Sequence, residues 1–499
     1  MLDSSIRSGG RRRRRAATLA ALGALVFLGA ALWWEWPGGA QPARSIAVLP
    51  YVNLSAHADN EYFSDGLTEE IIADLSAVRE LKVISRTSAM HYKRSEQPLW
   101  QIARELNVAH VLEGSVRAND GRVRISAQLI DARSDEHLWA RTYDSDLRDI
   151  FHVQEQIARD VVGALEVELG ERSRTALVRQ GTRDPDAYEL HQRGRYLWNT
   201  RTRAGHEHAI EYYRRAIARD STYADAYAGL AYAHLTAYQL HLSNLPEAVM
   251  YSRVKWAAER ALALDDKSAD AHTAFALSLE WQRNWPGAER ELRRAIQLNP
   301  GDATARSWYA MLLSGLGKSR DAFEESRRAY ELDPFAVVVS GNYAWQSYLV
   351  RDNDSAIEQF RRTLEIGPAY GWGYERLARA YGHQGKLEEA IRTLQQGIKL
   401  GLEGQDFAAD VAYVQALRGD TGAARAALQR AKTQAFEPYN IALVYVALRQ
   451  PDSAFAWLER SSWQWPHRAV TSDPALDPLR ADQRFARLAL RIEHDMGIR

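Results

Sequence analysis

The feature that most constrains this chain is a repeat of 34 residues in its second half. Small residues let two helices cross closely, glycine turns the chain between them, and proline ends the second helix. The period therefore predicts stacked helix pairs, in clean register over residues 269–436. The recurring residues are Ala288, Ala322, Ala356, Ala390 and Ala424; Ala276, Ala310, Ala344, Ala378 and Ala412; Pro300, Pro334 and Pro368; and Gly317, Gly385 and Gly419.

This pattern resembles the tetratricopeptide repeat (TPR), a helix pair with small residues at three fixed positions and a proline near its end. The resemblance implies an all-α superhelix over residues 185–460, with about seven to eight repeats. The units before residue 269 keep the pattern less strictly, as terminal repeats often do. Solenoids of this kind bind other proteins along an extended surface. We therefore expect a protein or peptide partner.

In the TPR family the first helix of each pair lines a groove, and the matching positions here carry several large aromatic side chains. Rigid aromatic side chains bury much area at a low cost in entropy, which makes them typical binding anchors. We therefore expect the groove to take an apolar or aromatic segment rather than a charged carboxyl terminus. The alternative is that these rings pack between adjacent helices. The predicted groove residues are Trp281, Trp345, Tyr348, Trp372, Arg379 and Tyr413.

Composition excludes several classes of function. The 499-residue chain has no cysteine, so disulfides, thiolate metal sites and cysteine nucleophiles are excluded. Residues 1–15 hold six arginines and one aspartate, a net charge of +5 in a chain whose total is zero. The remainder is therefore acidic, which argues against nucleic-acid binding by the body of the protein. Neither a metal-ligand motif, a phosphate loop nor a nucleophile elbow occurs, so we predict no catalytic residue, metal or cofactor.

The amino end predicts a membrane anchor. Five consecutive arginines, Arg11 to Arg15, precede 19 uncharged residues from Ala16 to Trp34. A helix of that length spans ~28 Å, close to the ~30 Å hydrocarbon core, and the arginines favour the cytoplasmic side. We expect a single-pass bacterial inner-membrane protein with its bulk in the periplasm; a cleaved signal peptide is the alternative. The expected segments are a basic cytoplasmic tail (1–15), a transmembrane helix (16–36) and a linker (37–44).

Residues 45–170 carry alternating signals for strands and helices, which predict a small α/β domain. Residues 45–49 are an apolar run that ends at Pro50, as expected of a buried strand. Two alternating segments flank Asp120-Gly121, a dipeptide typical of a tight hairpin turn. Beyond this domain, residues 171–184 are predicted to form a helical bridge and residues 461–499 a cap on the last apolar face of the solenoid.

Several motifs of residues 45–170 resemble the TolB amino-terminal-like module, which is related to the FlgO-like domain. In bacteria this module is often followed by TPRs. It often follows a DNA-binding, cyclase or kinase domain and a membrane helix. Only 15 residues precede the predicted membrane helix here, so we do not carry those activities over. The matching motifs are Ser45–Pro50, Asn60–Ile71, Ala109–Arg117, Ile125–Asp131 and Ile150–Ala158.

The sequence thus predicts a multidomain fold: an N-terminal transmembrane helix, a small α/β domain and an all-α TPR solenoid. The predicted function is a non-enzymatic, membrane-anchored scaffold or adaptor for protein–protein interactions, without nucleic acid. One alternative is a sensory or regulatory subunit that acts with a separate effector. A second alternative is an enzyme whose pocket is assembled from distant residues.

Overall fold

The computed structural model describes most of the chain after residue 42. The predicted tail and transmembrane helix, with Arg11, Arg15, Ala16 and Trp34, lie outside the described residues, as do Asp120-Gly121 and most of the predicted bridge. Residues Arg44–Arg499 make up one compact unit. The described residues are 43–55, 61–119, 122–146, 150–167, 181–182, 184–199, 202–239, 243, 245–402, 407–433, 438–461 and 470–495.

The first part of the described chain is an α/β region built on one mixed sheet. Its strand order is β3-β1-β4-β5-β6, with β2 paired to β4. The pairs β1–β3, β1–β4 and β2–β4 are parallel, whereas β4–β5 and β5–β6 are antiparallel. The elements are β1 (Ser45–Val48), β2 (Val52–Asn53), α1 (Glu61–Ser76), β3 (Lys82–Val83), α2 (Arg86–Met90), α3 (Leu99–Leu106), β4 (His110–Asn119), β5 (Arg122–Asp131), β6 (Glu136–Asp146) and α4 (Ile150–Ala164).

Both faces of the sheet are covered near β1. Ile46 and Val48 point toward a core shared with α1 and α4, whereas Ala47 and Leu49 pack on the opposite side with α3. This two-sided burial explains why the strand is a continuous apolar run. The alternating residues of β5 place Val123 on the α1–α4 side, and its antiparallel pairing with β4 confirms the predicted hairpin.

The rest of the described chain is a series of helix pairs. We call the odd-numbered helices from α5 to α19 the A helices and their even-numbered partners, α6 to α20, the B helices. Consecutive A helices contact one another, so they form a continuous surface, the A-helix face. The helices are α5 (Pro185–Asn199), α6 (Arg203–Arg219), α7 (Ala224–Gln239), α8 (Glu247–Leu264), α9 (Ala269–Trp281), α10 (Trp285–Leu298), α11 (Ala303–Gly315), α12 (Ser319–Leu332), α13 (Val337–Leu349), α14 (Asn353–Ile366), α15 (Gly371–His383), α16 (Leu387–Leu400), α17 (Ala408–Arg418), α18 (Thr421–Thr433), α19 (Pro438–Ala447) and α20 (Pro451–Leu458).

The residues of the 34-residue repeat lie where helix packing needs them. All ten alanines of the two rows have 0% exposure. An alanine side chain lets the backbones of neighbouring helices approach closely, and any larger residue would force them apart. Each proline of the third row follows the end of a B helix by two residues, as at Pro300 after Leu298. The predicted TPR-like solenoid is therefore confirmed.

A last segment follows the helix pairs. It contains a 3-10 helix (Pro474–Leu479) and α21 (Gln483–Asp495). Leu476, Leu479 and Phe485 are buried in the same core as α17 to α20. The segment therefore covers apolar surface at the carboxyl-terminal end of the solenoid.

The predicted localisation in the bacterial inner membrane, through a single-pass anchor, is wrong. Among the described residues no helix combines the length and the apolar character that crossing a membrane requires. The residues on which that prediction depended, 16–36, lie outside the described part of the chain.

Candidate functional site

The A-helix face is the surface on which the sequence predicts binding, and two other parts of the chain already lie against the solenoid there. The α/β region contacts α5 and the loops that lead into α11 and α13. Residues 470–480, here named the C-terminal segment, contact α13, α15 and α19. These two contacts define what a partner would meet on this side of the solenoid.

The α/β region is fixed to the solenoid by a small buried joint. The Ser88 hydroxyl in α2 donates to Asp333 Oδ1 at 2.6 Å and accepts from the backbone N–H of Phe335 at 2.9 Å. The ring of Phe335 stacks on His91 with 4.1 Å between ring centroids. Burial raises the pKa of Asp333, and hydrogen bonds from hydroxyl groups, including that of Ser88, partly offset this. The joint therefore satisfies a buried carboxyl group that the solenoid alone would leave without these donors.

A second link is an ion-pair bridge across the junction. The buried carboxylate of Glu69 in α1 lies 2.9 Å from Arg86 Nε and 2.8 Å from Arg195 Nε in α5. Its charge raises the pKa of Arg195. One carboxylate thus joins an arginine of its own region to an arginine of the first helix pair.

A cavity of 670 Å³ lies between α1 and the amino-terminal ends of α7, α9 and α11. Its wall carries more carboxylates than cationic side chains. Burial raises the pKa of Glu70 to about 7, and that of Asp74 well above its usual value. Burial also lowers the pKa of His191 to about 4, so its imidazole is neutral at pH 7. The acidic residues of the wall are Glu69, Glu70, Asp74, Glu155, Asp225, Asp270, Asp302 and Asp333.

The C-terminal segment inserts a fully buried aspartate into the A-helix face. Asp473 has 0% exposure. Its Oδ1 accepts from the Tyr348 hydroxyl at 3.2 Å and its Oδ2 from the Tyr439 hydroxyl. Burial lowers the pKa of Arg379, but the charges of Asp410 and then Asp473, with smaller contributions from nearby phenols, outweigh it, so that this pKa is raised. Two phenols and a guanidinium from three A helices therefore surround one carboxylate.

Polar contacts hold the segment on either side of this aspartate. The hydroxyls of Ser319 and Ser472 lie 2.6 Å apart. The Arg351 guanidinium donates to Asp477 Oδ1 at 2.8 Å. Apolar side chains complete the contact, because Ala475 and Leu476 are buried.

The structure brings together five of the six predicted groove residues. Trp345 stacks on Tyr348 with 5.1 Å between ring centroids. The Arg376 guanidinium lies 4.7 Å from the centroid of the Trp345 ring and 5.1 Å from that of Trp372. Arg379 forms an ion pair with Asp410 at 3.1 Å. Whether a partner contacts these residues stays a prediction.

Tyr413 is buried beside these residues. Burial raises the pKa of its phenol, and the charges of Arg379 and Asp473 also act on it, so Tyr413 belongs to the same group. Trp281 lies elsewhere: it is half-buried and meets Tyr238 edge-on, with 5.6 Å between ring centroids.

Sequence reasoning missed the residues that complete the site. Arg376 and Tyr439 occupy positions that the TPR comparison does not assign to the groove, and Asp473 belongs to a segment predicted only as a cap. The Asp-Pro pair at Asp473 is repeated at Asp477. That repetition indicates turns in the segment, but it does not indicate that the segment binds to the solenoid.

Comparison with protein families gives two matches. Residues 42–160 match the HilA/YgeH-like transcriptional regulator, second domain, rather than the TolB-like module that the motifs suggested. Residues 373–400, which include most of α15 and α16, match a tetratricopeptide repeat. The TPR assignment of the solenoid rests on this match together with the observed helix pairs.

Among curated proteins, the chain is 38% identical over 249 residues to the putative adenylate cyclase 3 of Rhizobium meliloti (strain 1021). The match covers 50% of this chain and 42% of that protein, so less than half of the relative's length is spanned.

Solved structures with similar helix pairs include pilF of Pseudomonas aeruginosa and a human IFIT1 dimer with PPP-AAAA. The first is 20% identical, covers 44% of this chain and 94% of its own, and has a TM-score of 0.35. The second is 13% identical, covers 63% and 86%, and has a TM-score of 0.40.

Proposed function

We propose that this chain is a non-enzymatic protein-interaction scaffold whose partner binds the A-helix face between α11 and α19. The observation that carries the proposal is that this face already holds a peptide segment, residues 470–480, through buried polar and apolar contacts. The hydrogen-bond donors and apolar pockets that bind this segment can also bind a segment of another protein with similar chemistry. TPR solenoids use this side of the repeat for protein partners.

The expected partner is a mainly apolar segment of another protein. The half-buried ring of Trp372 on α15 supplies rigid accessible area, whereas Trp345 and Tyr348 on α13 are buried in this structure, with 4% and 0% exposure. Aromatic and arginine side chains of this kind are the usual anchors of protein interfaces. The guanidinium of Arg376 between two indoles keeps this surface ordered before any partner arrives.

Photo-crosslinking tests the proposal. A photoreactive residue replaces Trp372, which is half-buried on the A-helix face, and in a matched variant it replaces Arg392, whose side chain is 68% exposed on the B helix α16. We expect a discrete protein adduct from position 372 alone, in cells that make the full chain. Equal labelling from both positions, or none from position 372, would contradict the proposal.

A second candidate is a regulatory subunit that controls a separate effector. The observation in its favour is the 38% identity to a protein named a putative adenylate cyclase. It predicts that the adduct contains a protein with its own output domain. A direct assay separates both candidates from an enzyme: the purified full chain with ATP and Mg²⁺ should form no cyclic AMP above the buffer control.

A further inference from the structure

The site that surrounds Asp473 is more selective for a carboxylate than a hydrophobic cap requires. A cap needs only to cover apolar side chains, yet this one carries a carboxylate into a site with 0% exposure. Burying a carboxylate is costly unless donors replace its water. Here the hydroxyls of Tyr348 and Tyr439 supply those donors, and Ala475 N–H adds a third at 2.8 Å. The face is therefore complementary to a carboxylate followed by a tight turn.

The rest of the contact combines buried apolar side chains with weaker polar contacts. Leu476 and Leu479 are buried, with 0% and 4% exposure. The 3-10 form of Pro474–Leu479 has poorer backbone hydrogen-bond geometry than an α-helix, so side-chain contacts hold it. The ion pair between Arg351 and Asp477 is partly open to water, with 46% and 36% side-chain exposure. Exposed pairs of this kind contribute little to stability. A competing segment must therefore supply a carboxylate at the position of Asp473 and apolar side chains at the positions of Leu476 and Leu479.

We propose that the C-terminal segment is a built-in competitor that imitates the partner. The partner is then a protein segment with one carboxylate, a turn directly after it and apolar side chains two to six residues further on. It binds at Tyr348, Arg379 and Tyr439 by displacing residues 470–480. This inference rests on the proposed function, because it specifies the chemistry of the same face.

Because residues 470–480 belong to the same chain, they cover the A-helix face when no partner is bound. A segment on the same chain competes at an effective concentration on the order of millimolar. An isolated copy of the segment must therefore bind the wild-type chain weakly. A substitution that weakens the contact of residues 470–480 with the face should strengthen the binding of an isolated peptide of the same sequence. A purely structural cap would not show this effect.

The experiment uses the full chain and a fluorescein-labelled peptide with the sequence Val470–Arg480. Binding is measured by fluorescence anisotropy to the wild type and to Asp473→Asn, which keeps the shape and removes the charge. We expect the peptide to bind Asp473→Asn about tenfold more tightly than wild type or better, the range expected for a lost charged hydrogen bond. A peptide with asparagine in place of its aspartate should lose about the same factor.

The matched control removes the donors on the face. In Asp473→Asn combined with Tyr348→Phe and Tyr439→Phe, the aspartate and asparagine peptides should differ much less in affinity than on Asp473→Asn alone; Arg379 remains and accounts for any residual difference. Should Asp473→Asn fail to fold, hydrogen exchange on the wild type replaces it: millimolar peptide should accelerate exchange of the amides of residues 470–480.

Equal affinity for wild type and Asp473→Asn, equal binding of the two peptides, or unchanged exchange at millimolar peptide would overturn the inference. These failures leave the proposed function intact if position 372 still crosslinks to a protein. Loss of that adduct as well would overturn both the further inference and the proposed function.

Discussion

At the scale of single residues, the turns between the helices of a pair show how the repeat tolerates variation. Positions 283, 317, 351, 385 and 419, each 34 apart, all have positive φ. Glycine adopts this conformation freely, whereas other residues are strained there. Three of the positions are glycine, and two are Arg283 and Arg351. The register of the repeat is thus kept even where the sequence signal is lost.

This pattern predicts opposite effects of two substitutions. Arg283→Gly should raise the free energy of unfolding by about 0.5–1 kcal/mol, because relief of a strained φ of 59° outweighs the added freedom of the unfolded chain. Gly385→Ala should lower it by about 1 kcal/mol, and a Cβ there meets nothing within 4 Å, so the effect is conformational. Denaturant midpoints of both variants measure this, and unchanged midpoints would refute it.

Glu70 gives the α/β junction a pH dependence. Its pKa is about 7 in the folded protein and 4.5 in the unfolded chain, so the folded state holds a proton between these values that the unfolded state has released. Stability that is present below pH 4.5 is therefore lost as pH rises toward 7. Asp74, one turn away on α1, acts in the same direction.

We expect Glu70→Gln to reduce this loss. Its melting temperature should fall less than that of the wild type between pH 5 and pH 8. Glu388→Gln, at an exposed glutamate on α16, is the matched control. A wild-type melting temperature that rises over this interval would contradict the assignment.

At the scale of elements, the solenoid and the α/β region differ in how they could be predicted. The 34-residue period and the alternation in β5 are local patterns, so the helix pairs and the hairpin followed from sequence. The joint at Ser88 and Asp333 connects residues 245 apart, and the seat of Asp473 connects it to Tyr348, 125 residues away. Such contacts leave no periodic trace, because they depend on which surfaces meet after each element has formed.

The joint itself makes a prediction for α2. Ser88→Ala removes a donor from buried Asp333 and an acceptor from Phe335 N–H, so it should cost about 1–3 kcal/mol of stability. Hydrogen exchange should quicken in α2 and at residues 333–335 before it does in α15. Ser252→Ala, at an exposed serine on α8, is the control. Exchange that is unchanged at both joint segments would show that the α/β region is held by other contacts.

At the scale of the whole molecule, two other parts of the chain lie against the solenoid. The α/β region contacts α5 through Glu69 and the loop between α12 and α13 through Ser88. The C-terminal segment contacts the A helices α13, α15 and α19, with Asp473 buried against α13 and α19. The predicted groove residues were found partly by analogy with TPRs. The contact of residues 470–480 with the A-helix face was not predicted, because the sequence of that segment does not indicate which residues it contacts.

The most direct test of the account is a reversible lock on the C-terminal segment. Ser319 and Ser472 have hydroxyls 2.6 Å apart, and the chain has no cysteine, so Ser319→Cys with Ser472→Cys can form a single disulfide. We expect the oxidised full chain to lose the crosslinked adduct at position 372, and reduction to restore it; Ser472→Cys alone should be indifferent to reductant. An oxidised chain that captures its partner as well as the reduced chain would contradict the claim that this segment occupies the binding face.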